Sequence, residues 1–330
     1  MLTAQTKEGI LTAQTKEGIP VLIQIDTSSD GPDWRDQQTF LAHFQTQGYV
    51  IARSLLPLDL MDNVVASFRA EVKPYTGTIL RQLSVRMEQN KFSANGFMTN
   101  TILSVQDLTD QCFESFRRNS LDVLTHERVK TVLEGLVGEP VQCVESMYFE
   151  SSARGTISHS DCHFMDSSAP GEMIAAWYAL EDIHPRAGRF YIMPESHLLG
   201  TEAPKFGHLK DLYNDYEEIA RKTSGSFHDN SPATNAALRI EYHKILEKCL
   251  ADLSFNAPLM KKGDVVFWGS RVLHGSLSPE DLSRSRNSLT AHYIGQSKQY
   301  IQYGNPVHIN AQIVNGMPVH CFRPIGSNEV

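Results

Sequence analysis

Two histidines and one carboxylate can occupy one face of an octahedral ferrous ion and leave the other three positions for a chelating co-substrate and for dioxygen. The chain carries such a set in His159-Ser160-Asp161, answered far downstream by His274. In an extended strand residues i and i+2 share a face, so His159 and Asp161 at a strand end can address one ion while Ser160 turns away. His274 follows the run Gly263-Asp264-Val265-Val266-Phe267-Trp268, and His274-Gly275-Ser276 stands where a strand would meet a loop. A 2-oxoglutarate molecule chelating the iron would leave its far carboxylate in need of a cation, for which a guanidinium offers a fixed two-pronged fork. Arg286 opens the last clear strand, which runs to Tyr293, and Arg284 two residues earlier competes for the same task. These are the parts of an oxygenase site, provided the fold assembles them.

The His-x-Asp motif alone is weak. With 13 His in 330 residues, roughly one such motif arises by chance, and an isolated pair reads as a surface contact. Joined to the downstream HGS and a suitably placed arginine in a β-rich chain, the metal site becomes the stronger reading.

The elements that must position these residues follow from periodicity and turn signals. A turn-rich stretch from Thr27 to Trp34 precedes a helix over residues 37–47, with Phe40, Leu41 and Phe44 on one face and Gly48 ending it. A short strand over 49–55 and a second amphipathic helix over 58–70 come next. Residues 83–119 read as loops and short strands near a site opening, and helical spacing returns over 121–137 until Gly138-Glu139-Pro140 stops it. Beyond Pro140 lie short β-rich runs over 141–150, 173–180, 188–193, 264–269 and 288–294, several alternating their side chains. The expected fold is mainly β with helical additions, a jelly-roll sandwich flanked by N-terminal helices. Residues 31–330 form one domain, with the jelly-roll core at about 141–300 and a polar, lid-like insertion at about 198–258 carrying a helix over 236–250. Residues 1–30 contain LTAQTKEGI twice, Leu2 to Ile10 and Leu11 to Ile19. Two copies are too few for a solenoid, so this segment is expected to be a flexible extension without a functional role.

Composition allows such an enzyme without pointing to it. A hydrophobic fraction of 41% supplies a sizeable core. The formal charge of -8 and pI near 5.9 argue against a nucleic-acid surface, since the basic pairs Arg117-Arg118 and Lys261-Lys262 extend into no run. Five cysteines without C-x-x-C spacing suggest reduced thiols rather than a disulfide framework or thiolate zinc site. No stretch has the length of a membrane span and the N-terminus lacks a signal-peptide pattern, so a cytoplasmic protein with no membrane partner is expected. The expected partner is a small-molecule substrate, with a homodimer left open.

The order HSD, AWYALED, GRFYIMPESH, KKGDVVFW, HGS and SRNSLTAHY, from about Met147 to Tyr293, resembles the phytanoyl-CoA dioxygenase family of iron(II) and 2-oxoglutarate-dependent oxygenases. GYVIARSLLP after a helix also resembles the family's opening. The resemblance implies a double-stranded β-helix core, iron ligands at His159, Asp161 and His274, and the co-substrate's distal carboxylate on Arg286 and Ser276. It places Met147 and Trp177 in the co-substrate pocket and His163 near the metal. It also implies Fe(II), 2-oxoglutarate and O2 as cofactors, with release of succinate and carbon dioxide. The sequence departs from the family at Glu195, where glycine is usual, which bears on the local loop shape. Relatives that halogenate carry a small residue at the Asp161 position, so the carboxylate here disfavours halogenation.

The expected reaction is hydroxylation, desaturation or epoxidation of a small organic metabolite, with natural-product biosynthesis as the setting. Ring formation also fits the ligand set. The acidic chain shows no plain basic patch for the phosphates of coenzyme A. Two alternatives from other classes are a cupin-like enzyme using its metal without redox chemistry and a non-catalytic binding module. The arginine poised for a dicarboxylate argues against the first, and the intact ligand set against the second.

Overall fold

The computed structural model describes residues 10–14, 20–24, 31–151, 155–226 and 254–322. Along the chain come α1 (Gln37–Gln47), β1 (Tyr49–Ala52), α2 (Leu58–Ser67), α3 (Glu114–Leu124), α4 (Glu127–Val137), β2 (Val141–Phe149), β3 (Thr156–His159), β4 (Ile174–Ala179), β5 (Phe190–Ile192), α5 (Lys210–Ser226), β6 (Val265–Gly269), β7 (His274–Ser276) and β8 (Ser288–Gly295). The larger sheet runs β1-β6-β4-β8-β2, each pair antiparallel, and continues beyond β2 into Ile102–Leu103 and the hairpin of Ile79–Arg81 with Arg86–Glu88. The smaller sheet runs β3-β7-β5 and continues through Ser254–Asn256 to Pro20–Gln24 and Ile10–Gln14. The two together form the jelly-roll, double-stranded β-helix core.

Why the larger sheet is buried on both faces follows from what covers each. One face carries Cys143, Tyr148, Ala176, Tyr178, Phe267, Leu289 and Tyr293, packed against Phe40 of α1, Val64 of α2, Phe116 of α3 and Val129 of α4. The opposite face carries Tyr49, Ala175, Trp177, Val266 and Trp268, packed against Phe190, Ile192 and Val272 of the smaller-sheet region. Alternation along each strand divides the residues between a helix-backed core and an inner wall. The candidate site lies between that inner wall and the strands β3 and β7 of the smaller sheet.

Some boundaries differ from expectation for local reasons. Gly48 ends α1 in the left-handed conformation, with φ 80°, where a Cβ would collide with His197. The single helix expected over 121–137 is two: Thr125 turns its hydroxyl back to Leu121 O and His126 adopts φ -56°, ψ 142°, separating α3 from α4. Part of the supposed loop region before it is therefore α3. The part of the lid-like insertion that precedes its expected helix is itself helical, as α5, whereas residues 236–250 lie outside the described residues. In the N-terminal segment, where a flexible extension is expected, Ile10–Gln14 pairs antiparallel with Pro20–Gln24, which pairs in parallel with Ser254–Asn256. Thr12 and the β-branched Val21 and Ile23 suit an extended backbone; the rest of residues 1–30 lies outside the described set.

Candidate metal centre

β3 ends at His159, and Asp161 opens the 3₁₀ turn Asp161–His163 two residues later. Between them Ser160 turns its hydroxyl to Arg271 O at 3.2 Å, fixing the loop against the connection that leads into β7. Antiparallel pairing of β7 with β3 sets His274 opposite His159. Gly275 permits this approach, since a Cβ there would lie 2.6 Å from Tyr191 Oη and 2.8 Å from Thr156 O. His159, Asp161 and His274 thereby bring three ligand atoms within 4.8 Å of one another.

The orientations suit a cation. Asp161 Oδ1 is 3.5 Å from both His159 Nε2 and His274 Nε2. His274 Nδ1 lies 3.0 Å from Val272 O; a carbonyl only accepts, so Nδ1 carries the proton and Nε2 presents its lone pair to the shared point. Burial drives the His274 ring down to about 4, despite the pull of Asp161, so it is neutral near pH 7 and free to bind a metal. Burial alone would raise Asp161, but His274, His159 and His292 outweigh it and hold the carboxyl well below its usual range. An ionised carboxylate and two imidazoles are the donor set that a ferrous ion accepts.

Arg286, 3% exposed, donates from Nη1 to Gly188 O at 2.9 Å, and its Cζ stands 5.7 Å from the Phe149 ring centroid. Its Nε has no hydrogen-bond partner, and no carboxylate pairs with it among the described residues. Burial pushes it down to about 10, which still leaves it cationic at neutral pH. A buried, uncompensated guanidinium is costly unless an anion arrives. Arg284 is the exposed alternative: its Nε reaches Asp281 at 3.3 Å and its side chain is 52% exposed. The structure thus separates the two arginines between which the sequence left a choice.

Met147, Thr290 and Trp177 are direct cross-strand partners on β2, β8 and β4, forming one row across the inner wall. Trp177 stacks on Phe190 with centroids 5.9 Å apart, and Phe190 lies 5.8 Å from the His274 ring. Ser276 sits two residues beyond His274 on β7, donating to Thr156 Oγ1 at 3.1 Å and pairing with Phe190 in the ladder. His163 is buried, but its ring meets Tyr216 of α5 at 5.3 Å and is not one of the three groups that converge. Glu195, the departure from the family pattern, occupies the left-handed region at φ 63° that glycine favours. Its amide bonds Gln47 O at 2.7 Å and its carboxylate pairs with Lys205.

Sequence reasoning missed two neighbours. Phe190 walls the site between Trp177, Trp268 and His274. His292, given no role from the sequence, is 2% exposed and has Asp161 Oδ2 at 3.6 Å and Glu145 Oε1 at 3.9 Å from its two ring nitrogens. Burial acts against the charged His292 ring, but Asp161 and Glu145 outweigh it and raise its pKa; burial pushes Glu145 up to about 7. The alternation of β8 holds the signal, since His292 shares the face of Thr290.

Comparison with known proteins bears on the family and the fold. Residues 44–279 match the sequence profile of the phytanoyl-CoA dioxygenase family. No curated protein matches the chain by sequence. Among solved structures, the chain resembles SnoN, a non-heme alpha ketoglutarate dependent epimerase from nogalamycin biosynthesis, with TM-score 0.54, 16% identity and coverage of 87% of this chain and 99% of that one. SnoK, a carbocyclase from nogalamycin biosynthesis, gives 0.53, 14%, 84% and 97%. EctD from S. alaskensis with bound Fe gives 0.52, 14%, 92% and 90%. These likenesses establish a shared fold.

Proposed function

The chain belongs to the phytanoyl-CoA dioxygenase family and is a 2-oxoglutarate-dependent oxygenase; we propose that it oxidises a small organic metabolite at a metal held by His159, Asp161 and His274. The convergence of those three donors within 4.8 Å carries the reading. Iron held there would supply, with 2-oxoglutarate and dioxygen, the oxidising power for a reaction that releases succinate and carbon dioxide.

The chain's own residues bind, orient and exclude water. Arg286 would take the distal carboxylate of 2-oxoglutarate, with Ser276 as a second polar partner, and Met147 and Trp177 would line the co-substrate pocket. The pocket wall of Phe190, Trp177 and Trp268 is apolar apart from the indole nitrogens, which keeps solvent from the metal. The unpaired Arg286 supports a dicarboxylate co-substrate over a cupin-like site without redox chemistry. Because Asp161 fills one metal position, oxygenation is favoured over halogenation, and hydroxylation is the default outcome with desaturation, epoxidation and ring formation depending on substrate placement. A free secondary metabolite, rather than a coenzyme A ester, is in keeping with the acidic chain and with neighbours from nogalamycin biosynthesis. Succinate release measured over a metabolite panel, with product mass telling oxygen gain from hydrogen loss, tests this; preferential turnover of acyl-CoA esters would overturn the substrate class.

A further inference from the structure

The inner wall carries a second row of residues, directly beneath Asp161. Glu145 on β2, His292 on β8, Ala175 on β4 and Trp268 on β6 are successive cross-strand partners, so their side chains stand side by side on one face. Ala175 contributes only a methyl, leaving a notch between the two large rings. Both rings face the same atom across it: Trp268 Nε1 donates to Asp161 Oδ2 at 3.0 Å, and His292 Nε2 stands 3.6 Å from that oxygen, at ion-pair rather than hydrogen-bond distance. The other oxygen, Oδ1, is the one 3.5 Å from both His159 Nε2 and His274 Nε2. The carboxylate is divided, one oxygen toward the triad and one toward the sheet.

We propose that Trp268 and His292 are positioning residues that hold Asp161 as a one-oxygen metal ligand, with Glu145 steadying His292 from the far side. This rests on the reading of His159, Asp161 and His274 as the metal-binding set. A carboxylate binds metals through one oxygen or both, and a second oxygen on the metal would take a position that the co-substrate or dioxygen needs. Trp268 is suited to prevent this because its indole N–H only donates and never titrates. His292 closes the other side, with Glu145 Oε1 3.9 Å from its Nδ1.

Anaerobic titration of the full chain with Fe(II) in the presence of 2-oxoglutarate, followed by the weak visible charge-transfer band of that chelate, tests the proposal. Trp268→Phe keeps the ring and deletes the N–H, His292→Leu deletes the imidazole, and His292→Gln returns a side-chain N–H. Trp268→Phe and His292→Leu are expected to weaken Fe(II) binding about 10–100-fold, the usual effect of losing such a supporting partner, and to displace the band; His292→Gln recovers most of the loss. A purely structural role would shift the melting temperature and leave the band of the loaded protein in place. Parent affinity and an unmoved band in Trp268→Phe, or in a folded His292→Leu, overturn the proposal, and Trp268→Phe decides alone if His292→Leu does not fold. A band that survives His274→Ala instead sinks the triad reading, so the two failures are distinct.

Discussion

His159 and His274 face each other across the antiparallel pairing of β3 with β7, their ring centroids 4.3 Å apart. The separation is set by the backbone ladder rather than by a metal, because direct cross-strand neighbours stand about 4.5–5.5 Å apart at Cβ. Two of the three donors are therefore placed by folding itself, and the third follows two residues after His159.

That pairing depends on Gly275. Gly275→Ala would drive a methyl against Tyr191 Oη and Thr156 O, and overpacking of this kind costs about 1–3 kcal/mol. Denaturant unfolding should show that loss, and Fe(II) binding should weaken with it because β7 can no longer close on β3.

Arg286→Leu should weaken 2-oxoglutarate binding by about 2–5 kcal/mol, the usual cost of removing one partner of a buried charge pair, while leaving Fe(II) binding largely intact. Arg286→Lys should recover little, since an ammonium lacks the planar fork. Separate titrations with Fe(II) and with 2-oxoglutarate distinguish the effects; equal loss of both would mean that the arginine supports the fold instead.

The buried Glu145 predicts a pH signature in the metal-free protein. Its folded pKa is raised to about 7 by burial, so its contribution to stability is full below the ordinary carboxyl range and is lost as pH rises through 7. Glu145→Gln removes that decline, and any weakening of the raised His292 pKa acts in the same direction. His274 and Asp161 are common to both proteins. Stability of the variant relative to the parent should therefore grow between about pH 4.5 and 7, measured by denaturant unfolding; a pH-independent difference would contradict the buried, proton-holding carboxyl.

α5 is fastened over the turn Asp161–His163 by buried Tyr213 and Tyr216 and by the 2.9 Å pair of Arg271 with Glu217. Glu217→Gln should cost under about 1 kcal/mol, as partly exposed ion pairs do. Tyr216→Ala should speed hydrogen exchange in Lys210–Ser226 far more than in β4 or β8, because local opening follows lost apolar contact.

The strands that build the site were legible because β2, β4, β6 and β8 lie in short β-rich runs, several of them alternating, and the approach of the three candidate donors was legible because the His-x-Asp spacing fits a strand end and HGS follows a later strand. α5 was not, since its polar residues outnumber the apolar ones and the apolar set of Tyr213 and Tyr216 reads equally as loop anchors. The break between α3 and α4 was also hidden: Thr125 and His126 carry no strong breaker signal, and the interruption depends on a side-chain bond to Leu121. His292 escaped because the alternation of β8 puts it on the face of Thr290 without showing what lies across from that face. Only the register joining β8 to β2 and β4 brings it against Glu145 and beneath Asp161.

The central claim is that His159, Asp161 and His274 hold an iron that 2-oxoglutarate chelates. Anaerobic addition of Fe(II) and 2-oxoglutarate should produce a weak visible charge-transfer band in the parent protein, and His274→Ala should abolish it while the protein remains folded. No band in the parent, or one that persists in His274→Ala, would contradict the account.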